Sequence, residues 1–442
     1  MSAEEVKIAN SKETALEVAH AAVDKLYEFR DHYFEHFSLD QAVHKDENVE
    51  KKMHECLEKL TSLKDNIPSK ATYSMLRGRA LNVLPVYNKE AESLLSKAVK
   101  LDPKLVDGWN HLGECYWKNK DVTSAKNCFI GALNHSKNKV SLRNLSMVLR
   151  QLPTKDAFEK ADIVRESVEK AKEAVEMDIA DGNSWAILGN AYLSLFFAAG
   201  QNPRALKQAM SAYALAERDP VSRNNSDLHF NQAIAYKYQE EYQKALEGFS
   251  KAMALDAGWV EPQEQEMRLM DYLSRLTTLQ SSQGKMKAKK LQNLCKSIID
   301  NDLGPYSGGS YTNQRNETIT LNKKKLKDLK SGVNLETVVV GKVVCTVAND
   351  ESIPFTFCFI DEEGLCLSVT VYNIGQGYGV KIGDSVAIPE PFVQDVEVNY
   401  KDKVFSYRGI RVDTPVVLVV NRRKLGLDKQ APTVLALSTL TD

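Results

Sequence analysis

The sequence predicts a multidomain chain, an α-helical solenoid followed by a small β-barrel, and three observations carry that expectation. Helical apolar spacing recurs through the first 300 residues, β-branched and aromatic runs replace it from Glu336 onward, and the Gly/Ser/Pro-rich stretch LGPYSGGSYTNQ at 303–314 lies between. A length of 442 residues exceeds one ordinary core, so two or three domains are expected.

The chain opens with segments Glu13–Phe37 and Glu47–Asp65, whose apolar residues (Leu16, Ala19, Val23, Tyr27; Met53, Cys56, Leu60, Leu63) fall at helical spacing. Then comes WNHLGECYW at 109–117. Trp109, Leu112, Gly113 and Tyr116 reappear as Trp185, Leu188, Gly189 and Tyr192, the W-x2-L-G-x2-Y spacing of a tetratricopeptide unit. The second half of the unit follows at Ala125, Phe129 and Ala132, and its frame recurs at Ala91–Leu95–Ala98, Ala209–Tyr213–Ala216 and Ala245–Phe249–Ala252. Such units are pairs of antiparallel helices in which small residues mark close approach. The two tryptophans are 76 residues apart, more than two periods of about 34, so a weaker repeat belongs between them. Leu142, Leu145, Ser146 and Leu149 supply its first helix; Ser167, Ala171 and Ala174, within Thr154–Met177, supply its second. A further insertion is expected near GQNP at 200–203, and Glu261–Gln280 and Lys285–Ile299 read as closing helices. About six hairpins result.

Beyond Glu336, TVVVGKVVCTVA, IPFTFCFID, CLSVTVYN, DSVAIPEP, VQDVEVNY, FSYRGIRVD and PVVLVV read as short strands. An OB-like barrel is the expected closure, with Gly341 at a strand bend and an immunoglobulin-like sandwich as the alternative. Residues 1–300 are thus expected to form the solenoid, 301–334 a basic linker, and 335–442 the barrel.

Charge narrows the function classes. Lys plus Arg number 58 against 59 Asp plus Glu, which disfavours a nucleic-acid binder held by net charge, and the barrel range is itself acidic. Phe355, Phe357 and Phe359 alternate as a core stripe would, although a base-stacking platform has the same period. If the barrel takes single-stranded nucleic acid, DNA or chromatin, KMKAKK at 285–290 and KKKLKDLK at 323–330 are the residues to suspect; a solvated linker or nuclear import signal is the alternative. Seven cysteines without a CxxC pair support neither a zinc ribbon nor a disulfide framework, and reduced thiols suit the cytoplasm or nucleus. No signal peptide and no membrane span are expected. His32-Tyr33-Phe34-Glu35-His36 matches a zincin-like spacing but lacks a third ligand, and Gly375-Gln376-Gly377-Tyr378-Gly379 sits between strands, so no metal, cofactor or catalytic activity is expected.

Binding is expected on the first helix of each unit. Its core stripe occupies positions 4, 7, 8 and 11, leaving a second stripe about 120° round the helix. That stripe contains Asn110 and Glu114, then Arg143, Met147 and Arg150, then Asn183 and Asn190, then Asp227, and last Glu261. Asparagines can clamp an extended peptide backbone, arginines a carboxylate, and carboxylates an arginine or amine. A short peptide with one acidic and one basic residue is predicted, its acid toward Arg150. An ordinary solvated helix face is the alternative.

The pairing of tetratricopeptide hairpins with a terminal barrel, together with KVSLRNLSMVLRQL at 139–152, YQKALEGFSKAMALD at 242–256 and GDSVAIPEP at 383–391, resembles a family of tetratricopeptide proteins that end in an OB fold. The resemblance implies a non-enzymatic scaffold working in nucleus and cytoplasm, and a monomer is expected, although sequence does not fix the oligomeric state. One implied setting is stress- and DNA-damage-responsive transcription, as a cofactor bridging a histone acetyltransferase coactivator. The other is the ribosome, where the nascent tubulin N-terminus is read and tubulin messenger decay follows. Lys97, Lys100 and Lys104, near the groove, are candidates for ribosomal RNA phosphates, with ordinary surface lysines as the alternative.

Overall fold

The computed structural model describes residues 3–312, 317–349 and 354–431, so the outer ends of the expected domain ranges lie outside the described residues. The chain forms two compact units. The first holds the residues up to Ala235 with Gly248–Pro262; the second holds Tyr236–Glu247 and the residues from Gln263 through the barrel. The boundary therefore differs from the expected break after residue 300.

Helices α1 (Ala3–Asp31), α2 (Tyr33–His36) and α3 (Lys45–Leu63) precede the pairs α4 (Lys70–Leu81) with α5 (Lys89–Leu101), α6 (Val106–Lys118) with α7 (Val122–His135), α8 (Lys139–Gln151) with α9 (Ala157–Met177), and α10 (Gly182–Ala198) with α11 (Pro203–Ala216). Helices α12 (Ser226–Tyr238), α13 (Tyr242–Leu255) and α14 (Glu261–Ser281) contribute residues to both units, and α15 (Ala288–Lys296) belongs to the second. Side-chain caps start most of the pairs: Ser69, Asn88, Asp121, Asn138, Asp156 and Asn202 each accept from a backbone N–H of the first turn. The surplus between the two tryptophans lies in α9, which runs 21 residues against 14 for α7.

The repeat spacing now has its steric cause. A β-carbon on Gly113 would stand 2.6 Å from Phe129, and one on Gly189 2.5 Å from Tyr213. Trp109 Nε1 donates to the Pro103 carbonyl at 2.8 Å and Trp185 Nε1 to that of Ile179 at 2.9 Å, so each indole ties down the turn six residues before it. The first helices of successive pairs, α4, α6, α8 and α10, touch one another in series and form one continuous wall.

In the second unit the strands β1 (Ser310–Thr312), β2 (Thr318–Thr320), β3 (Asn322–Lys323) and β4 (Gly332–Val333) precede β5 (Thr337–Val347), β6 (Phe355–Ile360), β7 (Cys366–Val371), β8 (Ser385–Pro389), β9 (Phe392–Tyr400), β10 (Lys403–Val412), β11 (Val419–Val420) and β12 (Arg423–Lys424). β5 pairs antiparallel with β6 and β8, β6 with β7, and β7 runs parallel to β10. β8 and β9 act as one strand broken at Glu390–Pro391, where Glu390 has φ +43° and Pro391 cannot donate. The first half of that strand pairs β5 and the second half pairs β10, which closes the barrel in OB order. Gly341 lies where β5 passes from pairing β8 to pairing β6, and a β-carbon there would stand 2.5 Å from Phe359. Phe357 and Phe359 are buried in the core with Phe355 packed against them, so the stripe is structural.

Two expectations need correcting. Residues 301–334 are not a free linker. Leu303, Tyr306 and Leu321 pack on Val338, Val340 and Ala387, Leu326 and Leu329 enter the barrel core, and β3 and β4 pair β5 and β9. Their glycine-rich, polar context hid apolar residues that seal the barrel. PVVLVV is not one strand either: Pro415–Val417 is a 3-10 turn closed by Leu418 N–H donating to Pro415 O, and only Val419–Val420 pairs with β8.

Candidate peptide groove

Helices α6, α8 and α10 of that wall carry most of the predicted stripe, with Asp227 on α12 and Glu261 on α14, and several of its members are committed to holding the helices together. Asn110 is buried, its Oδ1 accepting from Ser141 Oγ at 2.6 Å, so it is unavailable to a ligand and is removed from the asparagine clamp. Arg143 Nη1 meets Asp181 at 3.1 Å, spanning α8 to the start of α10. Glu114 accepts from Asn82 Nδ2 at 3.1 Å and meets His111 Nδ1 at 2.9 Å. Burial opposes its charge, yet His111, Lys118 and Arg30 outweigh that and hold its carboxyl down to about 2. These residues stitch neighbouring helices. Met147 packs on the apolar cluster between α7, α8 and α9.

Others keep capacity for a ligand. Asn183 Oδ1 accepts from Ser222 Oγ at 3.2 Å and Asn190 Oδ1 from Tyr213 OH at 2.9 Å; their Nδ2 groups have no partner among the described residues. Two amide donors thus remain of the three expected.

Arg150 is the stripe's cation that keeps no carboxylate partner among the described residues. Its Nη1 donates to Ser146 O at 3.1 Å, Ser146 Oγ at 2.9 Å and Ser167 Oγ at 3.0 Å. Burial pulls the guanidinium down to about 10, partly offset by Tyr213, while the nearby Lys160 ammonium is itself lowered by burial and by Arg150. A partly desolvated cation with only neutral partners is an open demand for an anion.

The opposite charge gathers on the same unit. Asp227, at the start of α12, keeps an exposed side chain, but crowding by protein atoms and the carboxylates of Asp256 and Glu261 raise its pKa. Asp227 and Asp256 meet no cation within ion-pair distance among the described residues.

The remaining candidates fall elsewhere. Lys97, Lys100 and Lys104 are exposed on or just after α5, the second helix of its pair, and so lie away from the inner wall; none is in an ion pair among the described residues. In KKKLKDLK, Lys323 meets Asp300 at 2.8 Å, and Lys325 and Lys327 meet Glu363 at 2.6 and 2.9 Å. That run is largely neutralised. The barrel face formed by β6, β7 and β10 is covered by α14: Tyr272 OH meets Thr356 Oγ1 at 2.8 Å, Gln280 Nε2 donates to Arg408 O at 2.9 Å, and Glu266 holds Lys401 of the β9–β10 hairpin at 2.7 Å. OB barrels take oligonucleotides across this kind of face and hairpin. His32 immediately precedes α2 without a side-chain capping bond and its Nδ1 meets Glu35 at 2.9 Å; no cluster of three potential metal ligands occurs among the described residues. Cys115 is fully buried, donates to Asn82 Oδ1 at 3.3 Å, and is pushed up to about 12 by burial.

A tetratricopeptide solenoid followed by an OB-fold barrel defines a protein-interaction scaffold. Residues 320–434 match the family model described as Tetratricopeptide repeat protein 5 OB fold domain. Tetratricopeptide repeat protein 5 of Homo sapiens is 50% identical over 415 residues, 94% of each chain, and that of Mus musculus is 51% identical over the same length and coverage. The chain belongs to the tetratricopeptide repeat protein 5 family. Among solved structures, YrrB, described as a TPR protein with an unusual peptide-binding site, is similar at 18% identity and TM-score 0.29, over 52% of this chain and 98% of that one. The Cut9–Hcn1 assembly is similar at 15% identity and TM-score 0.42, over 59% and 48% of the respective chains.

Proposed function

We propose that this chain is a non-enzymatic adaptor whose inner wall reads a short peptide bearing one basic and one acidic residue. The observation that carries the reading is a pair of charges on one unit: among the described residues Arg150 meets no carboxylate, and Asp227 meets no cation within ion-pair distance while Asp256 and Glu261 crowd it with like charge. The like-charge crowding at Asp227 and the partial desolvation of Arg150 are both relieved by a ligand of opposite pattern. Asn183 and Asn190 supply amide donors for the peptide backbone.

The resemblance noted from sequence supplies a ligand of that pattern, the Met-Arg-Glu start of nascent tubulin, leading to decay of the tubulin messenger. Its arginine suits Asp227 and Glu261, and its glutamate suits Arg150. The exposed Lys97, Lys100 and Lys104, off the inner wall, suit ribosomal RNA phosphates without competing with the peptide. The same adaptor chemistry serves a nuclear, stress-responsive transcription role through peptides of coactivators, so both cytoplasm and nucleus are expected. Single-stranded nucleic acid or chromatin on the barrel is the weaker reading, because α14 covers the face it would use.

Fluorescence polarisation of a labelled Met-Arg-Glu-initiated peptide against the full chain tests the proposal. Saturable binding is expected, and swapping the peptide's Arg and Glu should abolish it. Equal binding of both peptides would overturn the reading.

A further inference from the structure

A trough of about 640 Å³ runs along the outer side of the first unit, walled by α9 and α11 and floored by α10. This volume falls within the ~300–1,000 Å³ of typical ligand clefts. Trp185, Leu188 and Tyr192 form the floor at positions i, i+3 and i+7, a single helical stripe. Ile179, whose carbonyl accepts the Trp185 indole N–H, is 75% exposed and continues the apolar surface past the floor. Asn183 and Asn190 lie on a different face of α10 from this stripe, so the trough and the peptide groove use separate surfaces of one helix.

The walls are unevenly charged. Lys172, on α9, is paired with Glu169 at 3.0 Å, and Glu176 is the trough's one carboxylate. Arg204 and Lys207, on α11, are exposed at the lip and meet no carboxylate within ion-pair distance among the described residues. An apolar floor about two helical turns long, beside two unpaired cations, selects its partner by charge complementarity.

The geometry points to a second docking site, one that takes an acidic amphipathic helix of a partner protein. Its large apolar side chains, three or four residues apart, enter over Trp185, Leu188 and Tyr192, and its carboxylates meet Arg204 and Lys207. With the peptide read on the inner wall, this outer trough holds an effector at the same time. The site stands independently of the inner-groove reading.

The test uses the full chain and a labelled synthetic helix rich in Glu, with Leu and Phe at i, i+3 and i+7, beside a control in which every Glu is Lys. Saturable binding of the acidic probe is expected, weakening at least about tenfold when Arg204 and Lys207 are both changed to Glu and falling with added salt. These two side chains are exposed, so the double variant keeps its fold. Arg150→Asp should leave the probe's affinity unchanged. Binding lost in Arg150→Asp but kept in the Arg204→Glu, Lys207→Glu variant would move the probe to the inner wall and overturn the proposal, leaving the peptide reading standing. No saturable binding, or equal binding of the Lys control, would also overturn it.

Discussion

Arg150 Nη1 lies 3.0 Å from Ser167 Oγ, so a helix-α8 guanidinium is held by a hydroxyl of α9 where an ion pair would be expected. Orientation is supplied without neutralisation. Replacing Arg150 with Met should therefore raise stability by about 1 kcal/mol, since an unpaired, partly desolvated charge is removed, while abolishing binding of the Met-Arg-Glu peptide. Thermal denaturation and polarisation on the same variant check both halves; a variant that loses stability would show that Arg150 is a structural residue.

If Asp227 receives the peptide's arginine as proposed, binding should be pH-sensitive. Crowding by protein atoms and the neighbouring carboxylates Asp256 and Glu261 make it protonate at a higher pH than an ordinary aspartate, so affinity for an arginine-bearing peptide should fall as pH drops. Asp227→Asn should weaken binding at neutral pH and flatten this dependence. Affinity measured from pH 7 down to about 4 decides it, and an Asn variant with unaltered pH dependence would point to another group.

Glu114 acts on stability with the opposite sign. Its folded pKa of about 2 lies below its ordinary 4.5, so its stabilisation is complete above about 4.5 and is lost as pH falls toward 2. The contribution is of order 2 to 3 kcal/mol at neutral pH. Glu114→Gln should remove this stretch of the acid-denaturation profile, followed by circular dichroism.

Close approach in the repeats predicts a steric cost. Gly113→Ala sets a methyl 2.6 Å from the Phe129 ring, and a loss of about 1–3 kcal/mol is expected. Phe129→Leu in the same chain should recover part of it. Additive losses in denaturant titration would show that the two do not share the contact.

Much of this molecule is legible in its sequence because steric rules act locally. Gly113 and Phe129 are sixteen positions apart in a fixed frame, so the W-x2-L-G-x2-Y spacing reveals the hairpin. Strand alternation likewise reveals β5 to β10. The stripe on the first helices is readable by angle alone, and it puts forward Arg150 and Asp227 as binding residues. What angle cannot supply is each side chain's partner. Asn110 is lost to Ser141 on the next unit, and Arg143 to Asp181 beyond the whole of α9. The 301–334 segment misled for a related reason. Tyr306 is anchored by donating to Val417 O at 2.6 Å, a partner more than a hundred residues away.

The indoles that pin the solenoid turns also divide the molecule optically. Trp109, Trp117, Trp185 and Trp259 are the chain's four tryptophans, and all belong to the first unit. The barrel unit carries tyrosines in their place, among them the buried Tyr272, Tyr306, Tyr372 and Tyr407. Indole emission is thus a built-in reporter for the solenoid alone, blind to the barrel. During unfolding it should coincide with the backbone circular dichroism only if both units melt together, and any gap between the two curves gives the stability of the barrel without a single added label.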